Sequence, residues 1–218
     1  MFDTIYDDAR RRVCELAAGL SEEQLASPVP GTPDWTARQL VAHLAGVASD
    51  LVHGRRDGAG GPPWTSRQVA EREGRALDDL VAEWAQDGPG VRDLIAQRRL
   101  PLQVVHDVLT HEADLREAFG LGRLPAAVVD AVLPKAAGPV VQGAGALVVR
   151  AGEREWRGDD AAPEATLTVD PYELYRGVIS RRSRAQMLAW EWTGDAEGYV
   201  DRLPVFGPRL DDQPVPSF

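Results

Sequence analysis

Cysteine is almost missing from this chain: Cys14 is the only one, so no intramolecular disulfide can form. Lysine is rarer than chance allows, since Lys135 stands alone among 24 basic residues, a bias of composition that points to a GC-rich bacterial genome. No apolar run approaches the roughly 20 residues of a membrane-spanning helix. No basic-plus-apolar leader follows Met1, so a cytoplasmic location is expected. Basic charge is outweighed by acidic, giving a formal net charge of −10 and a pI near 4.9. Phosphates would be repelled over most of such a surface, which argues against nucleic acid or an anionic membrane as the main partner. Small molecules and proteins remain, bound by a monomer or a homodimer. Histidine is scarce as well, with four in all, so the position of each is informative.

What is present is an ordinary apolar content, 44% of 218 residues, enough to bury a core in one large domain or two small ones. The first half reads as helical. A first helix is expected over Ile5 to Leu20. Thr36 with Gln39 three residues on forms a capping box that opens a second, running to about His53. Thr65 with Gln68 repeats the box for a third helix through Trp84, which Gly88-Pro89-Gly90 is expected to break. Pro101 opens a fourth that ends at Phe119 before Gly120. Between the second and third, Gly54 to Pro63 reads as a loop.

After Gly122 the hydrophobic period changes to two. Ala146 to Val149 and Arg154 to Trp156 predict a hairpin around Gly152, and Ala165 to Val169 alternates as a half-buried strand. Asp170-Pro171-Tyr172-Glu173 supplies an N-cap and a first-turn proline for a helix, and Gln186 to Trp192 reads as another strand. The expected class is therefore α+β, with a four-helix bundle over residues 1–122 and a small α/β domain over 123–218.

The chemistry concentrates on the second and fourth helices. Leu40, Leu44, Val47 and Leu51 recur at core-facing spacing, and His43 sits beside them. On the fourth helix Val104, Val108 and Leu115 mark the inner stripe, with His111 between them and Asp107 four residues earlier on the same side. A carboxylate turned toward a core costs several kcal/mol unless something compensates it. A divalent cation shared with two imidazoles would do so: two His and one carboxylate suit Zn²⁺, Ni²⁺ or Fe²⁺ and leave coordination positions open. The competing interpretation is an i, i+4 ion pair of Asp107 with His111 beside an ordinary core histidine, and spacing alone favours it. Asp114, three residues beyond His111, is placed to accept a proton from that imidazole or to pair with Arg116. His106 points about 100° away from Asp107 and is the weaker ligand. His53 reads as surface, and Cys14 as a small buried apolar residue.

Two stretches, Trp35-Thr36-Ala37-Arg38-Gln39-Leu40-Val41-Ala42-His43-Leu44 and Asp107-x3-His111-Glu112-Ala113-Asp114-Leu115-Arg116-Glu117-Ala118-Phe119-Gly120, resemble the mycothiol-dependent maleylpyruvate isomerase family of actinobacteria. That family belongs to the DinB-like superfamily of metal-binding four-helix bundles, and the tail from Thr166 to Phe206 is similar to its small C-terminal domain. The resemblance implies a metal on His43, Asp107 and His111, and mycothiol as cosubstrate. It further implies a thiol activated by the metal for attack on a small electrophile. The family has Glu where this chain has Asp107, one methylene shorter, a difference that bears on metal choice, affinity and occupancy. An arginine of the C-terminal part is expected to steer an anionic substrate. Arg181, Arg182 and Arg202 are the candidates, and plain surface solvation is the simpler reading of each. The resulting expectation is a metal- and thiol-dependent transferase or isomerase. Its alternatives are a non-catalytic binding module with a structural metal or none, and a metal-dependent hydrolase using bound water.

Overall fold

A computed structural model describes residues 1–216 of the chain, which divides into two compact units, one ending at Leu121 and one beginning at Gly122. The first unit contains α1 (Phe2–Ala18), α2 (Glu22–Leu25), β1 (Pro28–Val29), β2 (Thr32–Thr36), α3 (Ala37–His53), α4 (Pro62–Ala70), α5 (Leu77–Ala96) and α6 (Gln103–Ala118). The four long helices α1, α3, α5 and α6 pack on one another, as the apolar spacing predicts. The capping box of α3 is present with both of its bonds: Thr36 Oγ1 accepts from the Gln39 amide, and the Gln39 side chain accepts from the Thr36 amide.

The expected third helix is instead two, α4 and α5, with Gly74 in the left-handed region between them. Gly88-Pro89-Gly90 does not break α5; it lies inside the helix. Proline there forfeits one hydrogen bond, but the glycines around it let neighbours come close. A Cβ on Gly88 would stand 2.5 Å from Arg10 Cδ on α1, and one on Gly90 would stand 2.8 Å from Val52 Cγ2 on α3. Close helix packing thus overrides the local signal. The β1–β2 hairpin between α2 and α3 carries no alternating pattern and is not foreseen from sequence.

The second unit opens with α7 (Ala126–Gln142), which Pro134 and Pro139 conceal in the sequence although Val129, Val132, Leu133, Ala137 and Val141 bury one helical face. The hairpin around Gly152 is β3 (Leu147–Ala151) with β4 (Arg154–Arg157), and β5 (Ala165–Val169) is the alternating strand. Next come α8 (Pro171–Val178), α9 (Arg184–Leu188), β6 (Glu191–Gly194) and α10 (Ala196–Tyr199). The sheet order is β4-β3-β5-β6, with β3 and β5 parallel and the outer pairs antiparallel. Asp170 caps α8 by accepting from the amides of Tyr172 and Glu173. The strand expected over Gln186 to Trp192 begins only at Glu191, because a Ser183/Gln186 capping box winds the preceding residues into α9. The chain is thus mixed helix and sheet, helical first and with a small sheet after. No helix among the described residues is long and apolar enough to cross a membrane.

Gly46 sets how near α4 lies to α3: a Cβ there would meet Gln68 Cβ at 2.6 Å. Gly46→Ala is therefore expected to lower stability by roughly 1–3 kcal/mol through overpacking, read as a lower urea midpoint with unchanged slope.

Candidate metal centre

His43 projects from the middle of α3, and Asp107 and His111 lie one turn apart on α6, so the packing of these two helices brings the three together. His43 Nε2 is 3.6 Å from Asp107 Oδ2, and His111 Nε2 is 3.6 Å from Asp107 Oδ1. One ligand atom from each of the three lies within 4.8 Å of the others. A contact of 3.6 Å is too long for a hydrogen bond. It is close to the separation of about 3.4 Å that two ligands have on a tetrahedral cation with bonds near 2.1 Å. Both histidines are buried, but the Asp107 side chain is 35% exposed, lining a cavity rather than lying in the core as its spacing predicts. The desolvation cost that seemed to demand a cation is correspondingly smaller.

Two different devices orient the imidazoles. His111 Nδ1 lies 3.1 Å from Oδ2 of Asp114, a fully buried carboxylate, which fixes Nδ1 as the protonated nitrogen and leaves the Nε2 lone pair toward Asp107. Asp114 in turn needs Gly31 of the β1–β2 turn, since a Cβ there would overlap its carboxylate. His43 is held by packing: its Nδ1 is buried without a hydrogen-bond partner, and the Trp35 ring of β2 covers it at 4.7 Å between centroids. Trp35 also lies 6.0 Å from the His111 ring. The hairpin that the sequence pattern hides thus braces both rings. Asp114 was legible from its i+3 spacing; Trp35 and Gly31 carry no spacing signal of their own.

A cavity of about 320 Å³ opens beside the triad, lined by His43 and Asp107 and walled by Val47, Leu51, Trp64, Leu100 and Val104. The α4 wall is anchored by Asp50, a wholly buried residue of α3 that pairs with Arg55 at 2.8 Å and Arg67 at 2.7 Å and accepts from Gln68 Nε2. Trp64 Nε1 adds a bond to the Arg55 carbonyl. Asp50 escapes sequence reading, although its position seven residues after His43 puts it on the same face of α3.

The remaining candidates separate cleanly. His106 is half-buried, and desolvation lowers its pKa. His53 Nε2 lies 3.2 Å from Asp87 Oδ1. Arg182 is buried and clamped by both carboxylate oxygens of Glu173, so it is not the solvated surface residue that its sequence suggests. Arg181 is half-buried with Nη1 near the Ile179 carbonyl, and Arg202 donates to the Ala144 carbonyl over the Tyr199 ring. Cys14 is half-buried, and burial pushes its thiol pKa up. It should therefore react slowly with Ellman's reagent at pH 7 in the native protein and readily in denaturant; fast native labelling would contradict the placement.

The family model for the mycothiol maleylpyruvate isomerase N-terminal domain matches residues 6–103, a stretch that includes His43 and ends before Asp107. No curated protein matches the chain. A crystal structure of the mycothiol-dependent maleylpyruvate isomerase aligns with 83% of this chain and 88% of its own, at 14% identity and a TM-score of 0.54. A crystal structure of a histidine-to-alanine mutant of that isomerase covers the same shares at 13% identity and a TM-score of 0.53. Likeness at this identity speaks to the fold. Residues 6–103 thus match the mycothiol maleylpyruvate isomerase N-terminal domain, in a chain whose fold is similar to that isomerase's.

Proposed function

We propose that the chain is a metal-dependent, mycothiol-dependent transferase or isomerase acting on a small electrophile, with His43, Asp107 and His111 as its metal ligands. The observation that carries this reading is the convergence of two imidazole Nε2 atoms on one carboxylate at ligand-to-ligand rather than hydrogen-bond distances. The donor set fits: two neutral nitrogens and one anionic oxygen suit Zn²⁺ best, with Ni²⁺ and Fe²⁺ taking the same donors. A divalent ion held there would act as a Lewis acid, lowering the pKa of a bound thiol so that it is nucleophilic at neutral pH.

The protein's own residues supply the rest. Asp114 keeps His111 in the tautomer whose Nε2 faces inward. Trp35 holds the His43 ring from one side, and the apolar walls beside the triad exclude water from the reacting groups. Half-exposure of Asp107 leaves the centre reachable from the cavity. The family match and the shared fold support mycothiol as the thiol.

Protein purified without a histidine tag should contain about one divalent ion per chain by elemental analysis, and His43→Ala or Asp107→Ala should lose it. Unchanged metal in both variants would overturn the reading. Asp114→Asn should weaken zinc affinity by roughly 10–100-fold in a chelator competition, because the imidazole then lacks its anionic partner. Mycothiol consumption with a model electrophile should require the ion.

A further inference from the structure

The cavity beside the triad has a second chemical end. Among the described residues, every arginine of the first unit has a carboxylate within ion-pair distance except Arg56, Arg98 and Arg99, and two of those three, Arg56 and Arg99, line this cavity. In a chain of net charge −10, cations left without carboxylates at one opening are conspicuous. Arg56 Nη2 donates to the Leu51 carbonyl at 2.7 Å, which holds the guanidinium at the end of α3 with its other donors unspent.

Helix geometry puts both arginines at the same end. Along α3, His43, Val47 and Leu51 line the cavity one turn apart, and Arg56 follows the helix end at Gly54. Along α6 the order is reversed: Arg99 and Leu100 precede the helix, then come Val104 and Asp107. The eight residues from His43 to Leu51 span about 12 Å at 1.5 Å per residue. The arginine end is therefore two helical turns from the triad, and the surface between them is mostly apolar, with Val47, Leu51, Trp64, Leu100 and Val104 outweighing Thr65 and Gln103.

We propose that this cavity takes an elongated apolar molecule with a single anionic group at one end, such as a medium-chain or aryl-chain carboxylate, seated on Arg56 and Arg99. Its other end reaches His43 and Asp107, and that orientation rests on the metal-centre reading. A short dianion cannot touch both ends at once. A polyol would lose its hydration against the apolar section between the two ends.

The test uses the full chain stripped of metal with chelator, so that a carboxylate has no ion to bind and the result does not depend on the metal reading. Octanoate, octanol, maleate and myo-inositol are titrated by calorimetry. Octanoate is expected to bind roughly tenfold more tightly than octanol, the size of a charge-assisted hydrogen-bond pair at a partly exposed site. Arg56→Gln with Arg99→Gln should erase that preference while octanol still binds, which shows the cavity intact. Val104→Trp, filling the apolar section, should abolish both. Equal binding of octanoate and octanol, maleate as tight as octanoate, or inositol binding alone would overturn the proposal. Metal loss in His43→Ala is a separate measurement and can fail without touching this one.

Discussion

Everything at this centre depends on the angular setting of α6 against α3. His43 comes from one helix and Asp107 with His111 from the other, so a rotation of α6 by one residue position, about 100°, would carry Asp107 and His111 away from His43. Glu112, the neighbour of His111, opposes that rotation. Its carboxylate is fully buried and takes Arg12 Nε and Nη2 of α1 at 2.7 and 2.8 Å, and Arg116 Nε of its own helix at 2.9 Å. A buried bidentate pair of this kind adds little net stability over an apolar contact, but breaking it leaves an uncompensated charge. It works as a register pin, holding α6 so that the adjacent residue faces α3.

The same logic recurs at each element around the cavity. Asp50 fastens α4 to α3 through Arg55, Arg67 and Gln68, and Asp114 fastens the His111 ring against the Gly31 turn. Arg72 and Arg75 share Glu83 and join the end of α4 to α5. Three carboxylates buried almost completely, Asp50, Glu112 and Asp114, thus sit at three separate junctions. Apolar packing alone tolerates sliding of smooth helical faces, whereas a buried charge has few positions in which all its lone pairs are met.

Sequence reading recovers this arrangement where periodicity and capping speak with one voice. The span of α3, its Thr36/Gln39 cap and the placement of His43 follow from a regular stripe, and the same holds for α6 with His111, while Asp107, expected in the core, lines the cavity. Periodicity does not say which helices are neighbours, so that His43 and His111 both stand 3.6 Å from the Asp107 carboxylate is learned only from the fold. Losses fall where local and tertiary signals conflict. Gly88-Pro89-Gly90 reads as a breaker, yet packing holds α5 together across it, and α7, with Pro134 and Pro139 inside it, carries no helix expectation from sequence at all. The β1–β2 hairpin is too short to alternate, and with it went Trp35 and Gly31. Asp50 was invisible because a lone acid on a helix reads as solvated until its partners, 5 to 18 residues on, are brought round it.

The two ends of the cavity are built by different means, and that difference bears on what each can do. At the triad end all three side chains stand on helix interiors and the two imidazoles are braced by packing or by a buried carboxylate, which suits a group whose position must hold to a fraction of an ångström. At the other end Arg56 and Arg99 stand on connections, just past α3 and just before α6, where substitution and insertion disturb no helix. A fold arranged this way keeps its reactive centre while the opposite rim changes charge and length. Asp107 in place of a longer acid belongs to the first end, where one methylene alters the reach to an ion. The arginine pair belongs to the second, where it alters the molecule admitted. Under the proposed function, the anionic end of a substrate is read by connections, while its apolar length and the metal are read by side chains on helices.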